Sequence, residues 1–278
     1  MTSRILQLEP FPQPAVVPLR YPVVLMHGFG MLAALMRSGQ LHDEAMHLRR
    51  HGVRAYAPNV PPYNPTPVRA RCWKERIERV LDETGADRVC LIAHSMGGLD
   101  ARYLISTLGM HDVVAALVTV STPHRGSPLC DVVHARPERL QAWLGTLFDH
   151  LGNAGVPDTP ADARAAVAEL APAYVCETFN PAVPDHPSVR YWSYAGRAGR
   201  GTDVPISPFL IAQNRLVYRR EGVNDGFVSV ESARWGTFLG AIDADHVQQV
   251  GLRFSLNTRF RASAFYRSVA EMLAREGF

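Results

Sequence analysis

Lysine is almost absent from this 278-residue chain: Lys74 is the single one, and arginine supplies the rest of 29 basic residues set against 26 acidic ones. The net charge of +3 and the pI near 8.8 therefore come from scattered arginines. With no run of like charge and no basic stripe, nothing marks a nucleic-acid partner. Cysteine is scarce too. Cys72, Cys90, Cys130 and Cys176 form no Cys-x-x-Cys pair and are too few for a disulfide scaffold. Cys90 lies in the apolar run Val89-Cys90-Leu91-Ile92 and reads as core, and Cys72 reads as helical. Cys130 and Cys176 flank one interval and read as reduced structural thiols, unless the fold brings them within bonding reach. No apolar stretch is long enough to span a bilayer. The opening, with Pro10, Pro12, Pro14 and Pro18, lacks a basic region followed by an apolar one, so no leader is read there. On that basis the chain as given is expected in the cytoplasm, or outside the cell if a leader was removed. Internal repeats and low-complexity tracts are also missing.

What the chain does have is 47% hydrophobic residues, enough for a full core, and one domain over 1–278 is expected. Short apolar runs bounded by turn residues alternate with longer helical patterns, the mark of βαβ units and a parallel sheet. Strands are predicted near Pro22–Met26, Val53–Ala57, Arg88–Ala93, Ala116–Ser121, Val189–Ala195 and Phe238–Ile242. Helices are predicted near Gln40–His51, Val68–Thr84, Gly98–Leu108 and Phe265–Arg275. The expected fold class is α/β, with a central, mostly parallel sheet of about six strands covered by helices on both faces. One interval is longer than a connection needs, and residues 128–187 are expected to form a helical lid or cap. Within it Leu140, Trp143, Leu144, Leu147, Phe148 and Leu151 fall on one helical stripe. That stripe suits a mobile lid and a permanently docked helix equally.

Four short motifs follow one another: His27-Gly28-Phe29-Gly30, Ala93-His94-Ser95-Met96-Gly97-Gly98, Asn224-Asp225-Gly226 and Asp245-His246. Ser95 follows an apolar run and precedes a helical pattern, a strand–turn–helix elbow whose tight turn needs small residues two before and two after the serine. Ala93 and Gly97 meet that need. A serine hydroxyl needs a base to take its proton during attack. His246, after the last strand, is the preferred base among eleven histidines. His27 and His94 also have suggestive surroundings, and His124 in Ser121-Thr122-Pro123-His124 is the most serious competitor. The base in turn needs a carboxylate to hold its tautomer. Asp225 is placed first because it comes from a different loop than the histidine, with Asp243 and Asp245 as rivals. Two backbone N–H groups, of Phe29 and Met96, are the candidate donors for an oxyanion.

With these residues assembled, the chain resembles the bacterial triacylglycerol lipases of the α/β-hydrolase superfamily. The likeness runs from about Tyr21 to Val250 and includes Thr122-Pro123-His124-Arg125-Gly126-Ser127 and Tyr191-Trp192-Ser193-Tyr194-Ala195-Gly196. It implies Ser95, Asp225 and His246 as catalytic triad, Phe29 and Met96 as oxyanion donors, and a lid after Ser127 over an acyl-chain pocket lined by Trp143, Leu144, Leu147 and Phe148. The larger members hold calcium through an aspartate two residues after the histidine and a glutamine further on. Here Gln248 and Leu252 stand at those positions, and no His/Cys/Asp cluster offers another site, so neither metal nor cofactor is expected. The implied function is hydrolysis of lipophilic acyl esters at a lipid–water interface, through an acyl-enzyme on Ser95. The alternatives are a short-chain carboxylesterase with a fixed cap and a hydrolase-fold lipid binder without catalysis.

Overall fold

The computed structural model describes residues 15–30, 39–134, 161–257 and 259–278. Six strands, β1 (Val23–Met26), β2 (Ala55–Tyr56), β3 (Val89–His94), β4 (Val114–Val120), β5 (Arg190–Gly196) and β6 (Thr237–Ile242), form one sheet in the order β2-β1-β3-β4-β5-β6. Every pairing is parallel. In β1, β3 and β4 every residue is buried, as expected of strands covered on both faces. Successive side chains serve opposite faces. Val23, Leu25, Cys90, Ile92, Ala116 and Val118 pack with Ala45 and Leu48 of helix α1 (His42–Arg50) and with Tyr266, Val269 and Leu273 of the C-terminal helix (Ala262–Arg275). Val24, Met26, Leu91, Ala93 and Leu117 pack instead with Trp73, Ile77 and Val80 of α2 (Thr66–Thr84) and with Ala101, Leu104 and Ile105 of α3 (Gly97–Ser106). Each Val, Leu, Ile or Met among them gains about 1.5–3 kcal/mol by leaving water, and those of the sheet come from the three fully buried strands β1, β3 and β4.

The architecture is the expected one, with six parallel strands and helices on both faces. β4 begins two residues earlier than predicted, at Val114, and β2 is shorter, at Ala55–Tyr56. An unpredicted helix, α4 (Ile211–Glu221), lies between β5 and β6. All four cysteines are free thiols, Cys130 buried and Cys176 exposed.

The stripe containing Trp143, Leu144, Leu147 and Phe148 lies outside the described residues. Of the interval expected as a cap, the described part comprises the helix Pro128–His134, the helix Ala163–Ala168 and a helical run from Pro172 to Ala182 that widens to a π-turn over Val175–Phe179. Val175, Phe179 and Val183 pack on Leu99 of α3. The Thr66 N–H donates to Glu169 Oε2 at 2.6 Å, tying this segment to the start of α2.

Candidate active site

Because the sheet is parallel, the loops that follow β1, β3, β4, β5 and β6 all emerge at its carboxyl edge, the place where open α/β sheets collect ligands. β3 ends at His94 and α3 starts at Gly97, which leaves Ser95 and Met96 to make the turn. Ser95 sits at φ +56°, a left-handed conformation that costs a non-glycine residue about 1–3 kcal/mol and persists only where its surroundings hold it. Here they do. The Ser95 N–H donates to Val120 O at 2.9 Å, and Thr122 Oγ1 donates to Ser95 O at 2.7 Å. Ser121, at the end of β4, is strained in the same way at φ +48° and is held by its N–H to Tyr194 O and by the Gly196 N–H to its Oγ.

Ser95 Oγ donates to His246 Nε2 at 2.9 Å, and His246 Nδ1 donates to Asp225 Oδ2 at 2.8 Å. Ser95, Asp225 and His246, distant in sequence, thus form one hydrogen-bonded chain. The His246 N–H also donates to the Asp225 carbonyl at 2.9 Å, which fixes the two loops to each other. Asp225 is fully buried. Its Oδ1 accepts the N–H groups of Phe227 at 3.0 Å and Val228 at 2.9 Å, and its Oδ2 accepts Gln249 Nε2 at 3.0 Å as well as His246. Burial, the largest single influence, pushes its carboxyl up. The opposite charge of His246 and the hydrogen bonds from His246, Val228 and Phe227 outweigh it, so the group stays below the ordinary carboxylate range.

The loop after β1 runs against this elbow. A Cβ on Gly28 would come within 2.7 Å of Ser95 Cβ and 2.9 Å of Met96 N, so only glycine permits the approach. Met96 itself is buried, and no acceptor among the described residues takes its N–H. Phe29, the next residue of the loop, stands edge-on to Tyr63, with ring centroids 5.0 Å apart. Arg69, fully buried, donates from Nη2 to His27 O at 2.7 Å, from Nη1 to Pro61 O at 2.8 Å and from Nε to Asp100 at 2.8 Å.

The other histidines have different work. His27 donates from Nδ1 to Gly28 O and accepts the Val60 N–H at Nε2; burial and then the charge of Arg69 push its pKa down to about 3. His124 is fully buried, stacks on Trp235 at 5.0 Å and lies 3.1 Å from Thr119 Oγ1, with burial keeping it neutral. His94 is buried and packs against the His246 ring, with centroids 4.6 Å apart. Of the rival carboxylates, Asp243 pairs with Arg197 at the surface. Asp245, buried, accepts the Ser207 N–H, the Ser207 hydroxyl and the Gln248 N–H. Gln248, where the larger lipases carry a calcium ligand, donates from Nε2 to Asn257 O at 3.1 Å and accepts the Asp245 N–H. Among the described residues no group of three or more His, Cys, Asp or Glu side chains could hold a metal ion, and no helix is long and apolar enough to cross a membrane.

Gln249, Arg69 and Thr122 were not singled out by sequence reasoning. Nothing local distinguishes an Arg on a polar helix or a Gln after a histidine; both reach the site only through the fold.

A family model for the alpha/beta hydrolase fold matches residues 21–169, more than half of the chain, and the chain belongs to that family. It is 29% identical over 223 residues to triacylglycerol lipase 2 of Saccharomyces cerevisiae, covering 74% of this chain and 63% of that protein, just under two thirds of the yeast relative's length. It is 27% identical to a triacylglycerol lipase of Vibrio cholerae over 93% of this chain and 89% of the other. Among solved structures, a metagenomic carboxyl esterase superposes with a TM-score of 0.74 at 19% identity, covering 96% of this chain and 79% of its own. The mature form of a Bacillus licheniformis lipase gives 0.66 at 22% identity, covering 95% and 96%. At these identities the two structures speak for the fold.

Proposed function

We propose that the protein is a serine carboxylic-ester hydrolase of the lipase type, with Ser95 as nucleophile, His246 as general base and Asp225 as the carboxylate that orients it. The observation that carries this reading is the unbroken hydrogen-bonded run from Asp225 through His246 to Ser95 Oγ, ending on a serine held at positive φ. The curated relatives named as triacylglycerol lipases support the substrate class.

In the proposed reaction, Ser95 Oγ attacks the ester carbonyl while His246 Nε2 takes its proton. The negative charge on the carbonyl oxygen is received by the Met96 N–H, at the start of α3, and the Phe29 N–H. Each such donor contributes a few kcal/mol. His246 then passes the proton to the departing alkoxide, leaving an acyl group on Ser95. Water attacks the acyl carbonyl as His246 accepts its proton; the carboxylic acid leaves and Ser95 recovers its hydrogen. Asp225 stays ionised throughout and stabilises the imidazolium. Lipophilic acyl esters at a lipid–water interface are the proposed substrates, each buried methylene of the acyl chain gaining about 0.8 kcal/mol.

A second reading, a short-chain carboxylesterase with a fixed cap, is favoured by one observation: Val175, Phe179 and Val183 of the insertion dock on Leu99 beside the nucleophile. Hydrolysis of p-nitrophenyl esters from two to sixteen carbons, beside emulsified triolein and with Ser95→Ala as control, separates the two. A long-chain maximum with triolein turnover supports the lipase. Activity confined to short soluble esters supports the esterase, and activity surviving in Ser95→Ala overturns the site.

A further inference from the structure

We infer that Gln249 is a positioning residue of the active site, whose side-chain amide locks the Asp225 carboxylate and moderates its hold on His246. This rests on the reading of Ser95, His246 and Asp225 as a triad.

The four donors to Asp225 divide by origin. Its Oδ1 is held by two backbone N–H groups of its own loop, Phe227 and Val228. Its Oδ2, the oxygen that faces the imidazole, is held by two side chains from the segment after β6, His246 and Gln249. Gln249 lies in the single 3₁₀ turn Gln248–Val250 that follows the histidine, is fully buried, and anchors its own N–H on Asp245 O at 3.3 Å. Any rotation of the carboxylate that loosens the imidazole must therefore also disturb the hydrogen bond from Gln249 Nε2, so the two donors fix the carboxylate plane jointly.

The fold makes room for this contact at a cost. A Cβ on Gly196, the last residue of β5, would fall 2.0 Å from Gln249 Nε2, so the strand ends in glycine where the amide passes. Gln249 Oε1 and His94 Nε2 are both buried, and neither has a close hydrogen bond to any other group. The Gln249 side chain interacts with His94 by a hydrogen bond that favours the protonated ring, and the His94 ring lies against that of His246. What glutamine adds is the donor on Asp225. The titratable groups facing this amide are Asp225, His246 and His94, with Asp245 one turn away. Burial and the neighbouring His246 push His94 well below the ordinary range, so the only cation formed here during turnover is the imidazolium of His246.

A second donor on Oδ2 shares the negative charge that the imidazole Nδ1–H would otherwise hold alone. Without it the carboxylate stabilises the imidazolium more strongly but aims it less well. The test uses the full chain with Gln249→Met, which removes the donor at similar volume, and the isosteric Gln249→Glu, which replaces it with a second negative charge. A fluorophosphonate titration counts competent sites in each. Per competent site, Gln249→Met is expected to lower kcat roughly ten- to hundredfold, the scale of one hydrogen bond to a charged group, with KM within about twofold because Gln249 is not placed against the acyl group. The acid limb of its kcat/KM profile is expected to move up by roughly half a pH unit or more, and that of Gln249→Glu further. If kcat and acid limb per competent site match the wild type in both variants, with only fewer sites or a lower Tm, Gln249 is merely structural and the inference is overturned. Ser95→Ala, run in parallel, isolates the other failure: if it keeps activity, the triad reading itself falls.

Discussion

Arg69 donates to the carbonyl oxygen of His27 at 2.7 Å, and the same guanidinium holds Asp100 on α3 at 2.8 Å, both side chains being fully buried. One cation therefore joins the loop carrying Phe29 to the helix that follows the Ser95 turn. Trp73 Nε1 donates to the same Asp100 oxygen at 3.2 Å. The arrangement fixes the distance between two segments that must both present N–H groups to one oxyanion. A buried ion pair is a poor source of stability, since hydrophobic residues of similar volume often do as well. Its value here is geometric.

That argument separates stability from rate. Arg69→Met alone leaves Asp100 buried without its partner and should cost about 3–5 kcal/mol of unfolding free energy. The double variant Arg69→Met with Asp100→Leu should recover most of that in urea titrations while its kcat stays low, because His27 O has lost its anchor. A double variant with wild-type kcat would show that the guanidinium does not position the loop.

Asp100 also carries a pH signature. Burial, its largest influence, raises its carboxyl to about 6, with Arg69 opposing, and its Oδ1 has no partner. A carboxyl whose folded pKa lies above its unfolded value, near 3.9, binds its proton more tightly when folded. Its contribution to stability is full below about pH 4 and is lost as pH rises through about 6. The unfolding free energy of the wild type, minus that of Asp100→Asn, should therefore fall between pH 4 and 6 and be flat above 7. A difference that rises across that window would contradict the assignment.

The parts of this fold visible in the sequence are those where burial imposes a period. β1 is apolar throughout, and β3 and β4 are apolar but for His94 and Thr119, because both faces are covered, and such runs stand out between turns. The helix α4 was missed because its only fully buried side chains are Asn214 and Val217, too few to mark a stripe. Ser95, Asp225 and His246 sit in local motifs with distinctive neighbours, and they meet in space. Gln249 and Arg69 do not: each is an ordinary polar residue whose partners, Asp225 and Asp100, lie on other elements. Contacts of that kind arise only when the chain is folded, so no spacing announces them.

Gly28 gives a prediction about space alone. Gly28→Ala places a Cβ within 3.0 Å of Ser95 Cβ, Met96 N and His94 O, and none of these belongs to a flexible side-chain end. The loop must retreat from the elbow, taking the Phe29 N–H with it. Loss of one oxyanion donor lowers kcat about 10²–10³-fold, and that is the expected result on a soluble ester, with KM little changed. Equal losses in stability and rate, tracking the fraction folded at each temperature, would instead mark Gly28 as a packing residue.

The serine elbow itself should show strain kept for function. Ser95 at φ +56° costs the folded state free energy that glycine would not lose, of order 1–2 kcal/mol. Comparing wild type with Ser95→Gly mixes this with the loss of the Oγ–His246 bond. Ser95→Ala and Ser95→Gly both lack that bond and differ chiefly in tolerance of positive φ. Glycine's greater freedom in the unfolded chain opposes the gain by about 0.4–1 kcal/mol. The expected outcome is that Ser95→Gly equals or exceeds Ser95→Ala in unfolding free energy, by up to about 1 kcal/mol, with both variants inactive. At an unstrained position the same exchange lowers stability, so a Ser95→Gly clearly less stable than Ser95→Ala would mean that the turn stores no strain. In that case the positive φ would follow from the path of the backbone through the elbow and would not be a device for presenting the hydroxyl to His246.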